Sequence, residues 1–126
     1  MKKNKFIKQK AMEIVEFTGL AVDKDKLAKN LSSGYQKTLS ISIALATNPK
    51  LLLLDEPATT LSADKVEMIM GLVTKMRGKG TTVVIIEHNM KAIMDYCDRI
   101  VVLAYGKKLA EGPPQEIRGN KEVIEA

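Results

Sequence analysis

Acidic residues are missing from the first ten positions, where five lysines fall (Lys2, Lys3, Lys5, Lys8 and Lys10). The remaining 116 residues balance, 15 basic against 15 acidic, so the net charge of +5 comes from that one cluster. A nucleic-acid-binding domain carries its basic residues as a face through the fold. A cluster at one end reads instead as a solvated, disordered tail over residues 1–5, and no nucleic-acid partner is expected. Cysteine is nearly absent. Cys97 stands alone, which excludes an internal disulfide and suits a reducing compartment. No apolar run approaches the ~20 residues that a membrane-spanning helix needs. The basic opening "MKKNKFIKQK" is not followed by the apolar segment of a secretory signal. Internal repeats and low-complexity segments are also lacking. What is present is the composition of an ordinary globular domain, 45% apolar and 28% charged, in 126 residues. That length supports a single domain, residues 1–126, with a real core.

The chain alternates helical and strand patterns. Residues 6–18 read as a helix with Ile7, Ala11, Ile14 and Thr18 on one stripe. After a charged connection, Ser32 and Ser33 offer N-cap oxygens for a helix over about 35–47. Its apolar residues Leu39, Ile41, Ile43 and Leu45 lie on several sides, which predicts heavy burial, and Asn48–Pro49 end it. Leu51–Leu54 is a short continuous apolar run, the pattern of a parallel strand covered on both faces. Residues 63–77 form an amphipathic helix with Val66, Ile69, Met70, Val73 and Met76 at helical spacing. "TTVVIIEH" is a second buried strand. Residues 89–97 make a short helix with Met90, Ile93, Met94 and Cys97 inward. Two strands then turn around Gly106, and Pro114 opens a last helix. Strand–helix–strand with buried strands implies an α/β fold with a parallel sheet and a C-terminal β-hairpin.

In such sheets ligands bind beyond the carboxyl ends of the strands. Four leucines run there into two adjacent carboxylates, Asp55 and Glu56, which would be costly in a dry core. Glu87 and His88 follow the second strand, so topology sends both polar groups to one rim. A hard cation such as Mg²⁺ takes oxygen ligands from carboxylates, waters and phosphates together. Asp55 is the natural metal-side group. Glu56 is placed to polarise an attacking water, and His88 to meet a terminal phosphate. Each signal alone has a plain structural alternative: Asp55 could cap a turn, "LSSG" could start a helix, and a lone histidine is more often structural. The force lies in the ordered set "LSSGYQ", "LLLLDEP", "TLSAD" and "VVIIEH".

That set resembles the C-terminal half of an ATP-binding-cassette (ABC) ATPase, closest in style to the cytoplasmic subunits of branched-chain amino-acid importers. The resemblance runs from about residue 7 to the end of the chain. It implies a partial P-loop NTPase fold and the following roles. Leu31, Ser32, Ser33, Gly34 and Tyr35 occupy the signature loop, which contacts the ATP held by a partner subunit. Asp55 ends the Walker B strand as the Mg²⁺-side residue, and Glu56 is the catalytic carboxylate. Thr59, Thr60, Leu61 and Ser62 lie on a loop crossing the dimer interface, and His88 is the switch histidine. Implied cofactors are ATP and Mg²⁺. Implied partners are a homodimer mate or second ATPase subunit and transmembrane permease subunits, at the cytoplasmic face of a membrane.

This sequence departs from the family pattern at several positions. Tyr35 stands where glutamine is usual, Lys37–Thr38 replace a basic pair, Ile43 replaces an arginine, and Ser62 replaces Asp or Asn. No G-x-x-x-x-G-K-[ST] phosphate loop occurs anywhere in the chain. We therefore expect a C-terminal fragment that does not hydrolyse or tightly bind ATP alone, and whose exposed strands drive self-association. A non-enzymatic interaction module and an ABC ATPase unconnected to transport are the alternative functions.

Overall fold

The computed structural model describes all 126 residues, Met1–Ala126. The chain divides into two compact units, Met1–Ile86 and Glu87–Ala126. In the first unit, α1 (Lys2–Phe17) leads through two short 3₁₀ turns to α2 (Ser33–Leu45), β1 (Leu51–Asp55), α3 (Ala63–Gly78) and β2 (Thr82–Ile86). The second holds α4 (Met90–Tyr96), β3 (Ile100–Ala104), β4 (Lys107–Gly112), α5 (Pro114–Arg118) and α6 (Lys121–Glu125). No helix is long and apolar enough to cross a membrane.

The core of the first unit forms where the sequence pattern is cleanest. In α3 the residues Val66, Ile69, Met70, Val73 and Met76 are all buried, as their spacing predicts. Asp64 in its first turn and Lys75 and Arg77 in its last complement the helix dipole. Ile69, Leu72, Val73 and Met76 close on Leu52 of β1 and Ile41 of α2, with Leu54, Val83 and Ile85 packed alongside. β1 and β2 pair in parallel with Leu51 opposite Thr82 and Asp55 opposite Ile86, so the two strands end level.

The two-sided burial expected of these strands is not what the fold provides. The register puts Leu52, Leu54, Val83 and Ile85 toward the core, while Leu51, Leu53, Val84 and Ile86 are 53%, 69%, 48% and 63% exposed. Only one layer of helix packs on the pair, through α3 and α2, and the chain supplies no second layer in this unit.

Both helices preceding the strands also differ from the sequence reading. α1 starts at Lys2, and residues 2–5, expected as a tail, form its first turn. Ile7 and Ala11 of the anticipated stripe are exposed; packing begins at Ile14 and Thr18, where the helix reaches α2. α2 buries Gly34, Thr38, Ile41 and Ser42, whereas Ile43 is 65% exposed. Hydroxyls replace aliphatic contacts on that face. Ser42 Oγ donates to Thr18 Oγ1 at 3.0 Å, and Thr18 Oγ1 to the carbonyl of Ile14 at 2.9 Å, so the buried polar groups are satisfied.

In the second unit, β3 and β4 form an antiparallel hairpin. Its two-residue turn places Tyr105 at φ 51° and Gly106 at φ 74°, the left-handed pair that matches strand twist. Ile93, Ile100 and Ile117 make its core. Met90, expected inward, is half-exposed, because the helix starts there and turns Ala92 and Ile93 to the core instead. Pro114 opens α5 as anticipated, but Gly119 ends it after five residues. Asn120 then caps a separate α6, its side chain accepting from the N–H groups of Glu122 and Val123.

Candidate functional site

α2 begins abruptly. Leu31 and Ser32 are extended, and helical geometry starts at Ser33. The Ser32 side chain caps none of the helix's own N–H groups, which leaves the donors of the first turn without a side-chain cap. Gln36 folds that turn back on its approach, donating from Nε2 to the carbonyls of Leu31 at 3.2 Å and Ala28 at 3.3 Å. Gly34 is buried because α3 passes close by: a Cβ there would lie 3.0 Å from Lys65 Cδ and 3.2 Å from Met68 Cε. The Lys65 ammonium sits 5.2 Å from the centre of the Tyr35 ring, a cation–π distance. The segment Leu31–Tyr35 is therefore laid against the start of α3 through Lys65.

Asp55 is the last residue of β1 and Glu56 the first beyond it, and both are exposed. Their charges thus face solvent at the strand rim, and the four leucines do not drag them into the core. The loop that follows is compact. Glu56 takes φ 48° and Thr60 φ 65°, left-handed values that are sparsely populated for residues with a Cβ. Glu56 N–H donates to the carbonyl of Ile86 at 2.8 Å, tying the residue to the end of β2. Thr59 N–H donates to the Glu56 carbonyl at 3.2 Å, and Thr59 Oγ1 to Glu56 Oε2 at 3.3 Å. Leu61 N–H donates to the Ala58 carbonyl at 3.3 Å. Ser62 then precedes α3, and its hydroxyl donates to Asp64 Oδ1 at 2.5 Å. That hydrogen bond, with the nearby Lys65 charge, holds the Asp64 carboxyl below its ordinary value.

A cross-connection that sequence reasoning missed joins these two segments. Lys37, in the second turn of α2, donates from Nζ to the carbonyls of Thr59 at 2.8 Å and Glu56 at 3.4 Å. Its position after "LSSGYQ" is visible in the sequence, but nothing in one chain's spacing says that a lysine reaches 22 residues ahead.

His88 belongs to the second unit, where it is exposed and its N–H donates to Glu87 Oε2 at 3.2 Å. Asn89 follows as the N-cap of α4, its Oδ1 accepting from Ala92 N–H at 3.0 Å.

Comparison with known proteins matches residues 2–59 to the ABC transporter family model and residues 107–126 to that of the branched-chain amino acid ATP-binding cassette transporter. The chain is 40% identical over 113 residues to the high-affinity branched-chain amino acid transport ATP-binding protein LivG of Salmonella typhimurium, covering 89% of this chain and 44% of that protein. With BraF of Pseudomonas aeruginosa, described in the same words, it shares 39% identity over 116 residues, 91% of this chain and 44% of the relative. Among solved structures, an ATP-binding cassette of an ABC transporter in its ADP conformation superposes with a TM-score of 0.88 at 32% identity, over 94% of this chain and 48% of the other. The chain thus spans about half the length of the relatives it matches. With sequence shared along nearly its whole length and a backbone shared with a solved cassette, this chain belongs to the ABC transporter ATPase family.

Proposed function

We propose that this chain supplies the signature-segment and catalytic-carboxylate side of an ATPase that powers amino-acid import. The observation that carries this reading is the rim of the parallel pair. β1 and β2 end level, Asp55 is exposed there, and Glu56 is fixed beside it by its N–H on Ile86. The names of LivG and BraF point to branched-chain amino acids as the cargo class. The phosphate-gripping loop, absent from this sequence, would come from outside residues 1–126.

The side chains present suit a nucleotide held with Mg²⁺. No three His, Cys, Asp or Glu side chains gather into an all-protein cage. Asp55 at an open rim fits a cation that completes its shell with phosphate oxygens and waters. When bound, the ion neutralises charge on the transferring phosphoryl group. Glu56 accepts the proton of the attacking water or orients it, with Thr59 Oγ1 steadying one carboxylate oxygen. The uncapped N–H groups at the start of α2, with Ser32 and Ser33 hydroxyls and the close-packed Gly34, offer an anion site for the γ-phosphate on the opposing subunit. His88, in the second unit, takes the role of a hydrogen-bond partner to a γ-phosphate. Thr59–Ser62 face the opposing subunit across the ATPase dimer, and permease subunits at a membrane receive the closing motion.

Glu56→Gln tests the reading in an assembly that includes the phosphate loop. The substitution keeps the shape and removes the base. Turnover should fall at least ~100-fold, the scale of a lost general base, while nucleotide affinity measured by equilibrium titration stays within a factor of a few. Full turnover by the Gln variant would defeat the assignment.

A further inference from the structure

The loop after β1 keeps Glu56 and Thr60 in left-handed backbone conformations, a strained geometry that its surroundings must hold in place. Within the loop, the holding bonds are short-range: Thr59 N–H to Glu56 and Leu61 N–H to Ala58. Lys37 adds a tie from outside. Its ammonium reaches the carbonyls of Glu56 and Thr59, the two ends of one turn, at 3.4 and 2.8 Å. A charged donor strengthens such bonds. The helix bearing it is anchored to the core by Ile41 and starts with the signature segment only one turn earlier.

We propose that Lys37 is a positioning residue, whose ammonium clasps the carbonyls of Glu56 and Thr59 and so fixes the loop carrying Glu56 against the helix that begins at the signature segment. The carbonyl of Glu56 accepts both from Thr59 N–H and from Lys37, so the clasp acts on the backbone of the residue whose side chain does the chemistry. Through α2, any displacement of the signature segment reaches that backbone directly. The proposal rests on Glu56 being the catalytic carboxylate only for its kinetic consequence; the clasp itself can be tested without ATP.

Amide hydrogen exchange in the chain, followed by NMR, reads the clasp. Lys37→Met keeps the stem and removes the donors, and Lys37→Arg keeps donors of similar reach. In the Met variant, exchange at Thr59 and Leu61 should quicken about tenfold, the scale of one lost charge-assisted hydrogen bond. Exchange at Ile69 and Val73 in α3 should be unchanged, and Arg should restore the wild-type pattern. Unchanged rates at Thr59 and Leu61 overturn the proposal. So does a rise shared equally with Ile69 and Val73, which would mark a purely structural contact. In the assembled ATPase, Lys37→Met should lower kcat about tenfold with KM for ATP unchanged, because Lys37 bonds the loop and not the nucleotide. A raised KM at constant kcat would make it a nucleotide contact and overturn the positioning role. If Glu56→Gln retained full turnover, the catalytic reading would fall while the exchange result still judged the clasp.

Discussion

The two faces of the β1–β2 pair are built from the same kinds of residue, yet they are treated differently. Leu52, Leu54, Val83 and Ile85 are packed against α3 and its neighbours, while Leu51, Leu53, Val84 and Ile86 meet solvent. Alternation of polar and apolar residues marks a sheet meant to have one wet face. These strands do not alternate; they carry aliphatic side chains on both sides, as in sheets covered twice. The composition of the open face therefore answers to packing that residues 1–86 do not themselves provide. The difference also shows where stability resides: it lies in the helix-covered face, and the other face adds little to the fold as it stands.

The largest expected effect separates the faces directly. Leu52→Ala removes three carbons from the packed side, where Leu52 is 7% exposed, and should cost about 2–4 kcal/mol in denaturant unfolding. Leu53→Ala on the open side, next along the same strand, should stay within ~0.5 kcal/mol of the parent. Equal losses would mean that the open face is covered in solution. A smaller effect probes what covers it. Adjacent aliphatic residues beside unpaired strand edges favour association of copies. The chain should therefore show a concentration-dependent rise in mass by light scattering, and the double change Leu53→Lys, Ile86→Lys should weaken that association about tenfold or more, since burying a charge there is costly. A strictly monomeric parent at high concentration would assign the face to another kind of partner.

Much of this was legible because the signals were local. The spacing of Val66, Ile69, Met70, Val73 and Met76 fixes one face of α3 regardless of context. Tyr105–Gly106 is a turn whatever the strands around it do. That the carboxyl ends of β1 and β2 lie on the same side follows from parallel pairing, although the register that brings Asp55 opposite Ile86 does not. What stayed hidden depended on partners distant in sequence. That Ile43 is exposed and Ser42 buried depends on the angle at which α1 crosses α2, where Thr18 supplies a hydroxyl. Ile7 fell on a plausible stripe, but the first turns of α1 run past the body that could bury them. The five-residue α5 and the separate α6 turn on Gly119 and Asn120, a stop and a cap that were readable but were merged into one helix. At the candidate site the motifs nominate Asp55, Glu56 and His88 as the chemical residues. The fastening of the site was not legible, since Lys37 and Lys65 act across gaps that only the folded backbone closes.

The mildest contrast lies on the exposed rim, between a contact that shifts a titration and one that holds the fold. Ser62 donates to Asp64 within the first turn of α3, and that bond, ahead of the Lys65 charge, depresses the Asp64 carboxyl. A carboxyl depressed on folding contributes stability that is fully present above its unfolded value, about pH 3.9, and is lost as pH falls through the lower folded value. The contribution is thus complete at neutral pH and disappears only in strong acid. Ser62→Ala removes the leading cause, so Asp64 should titrate nearer its ordinary value, measurable from the carboxyl carbon shift by NMR. Because the group is fully exposed, solvent screens the interaction, and unfolding at pH 7 should scarcely change, in contrast with Leu52→Ala. An unaltered Asp64 titration would show that the Ser62 hydroxyl turns to solvent and that the Lys65 charge and the backbone N–H groups of Asp64 and Lys65 depress the carboxyl.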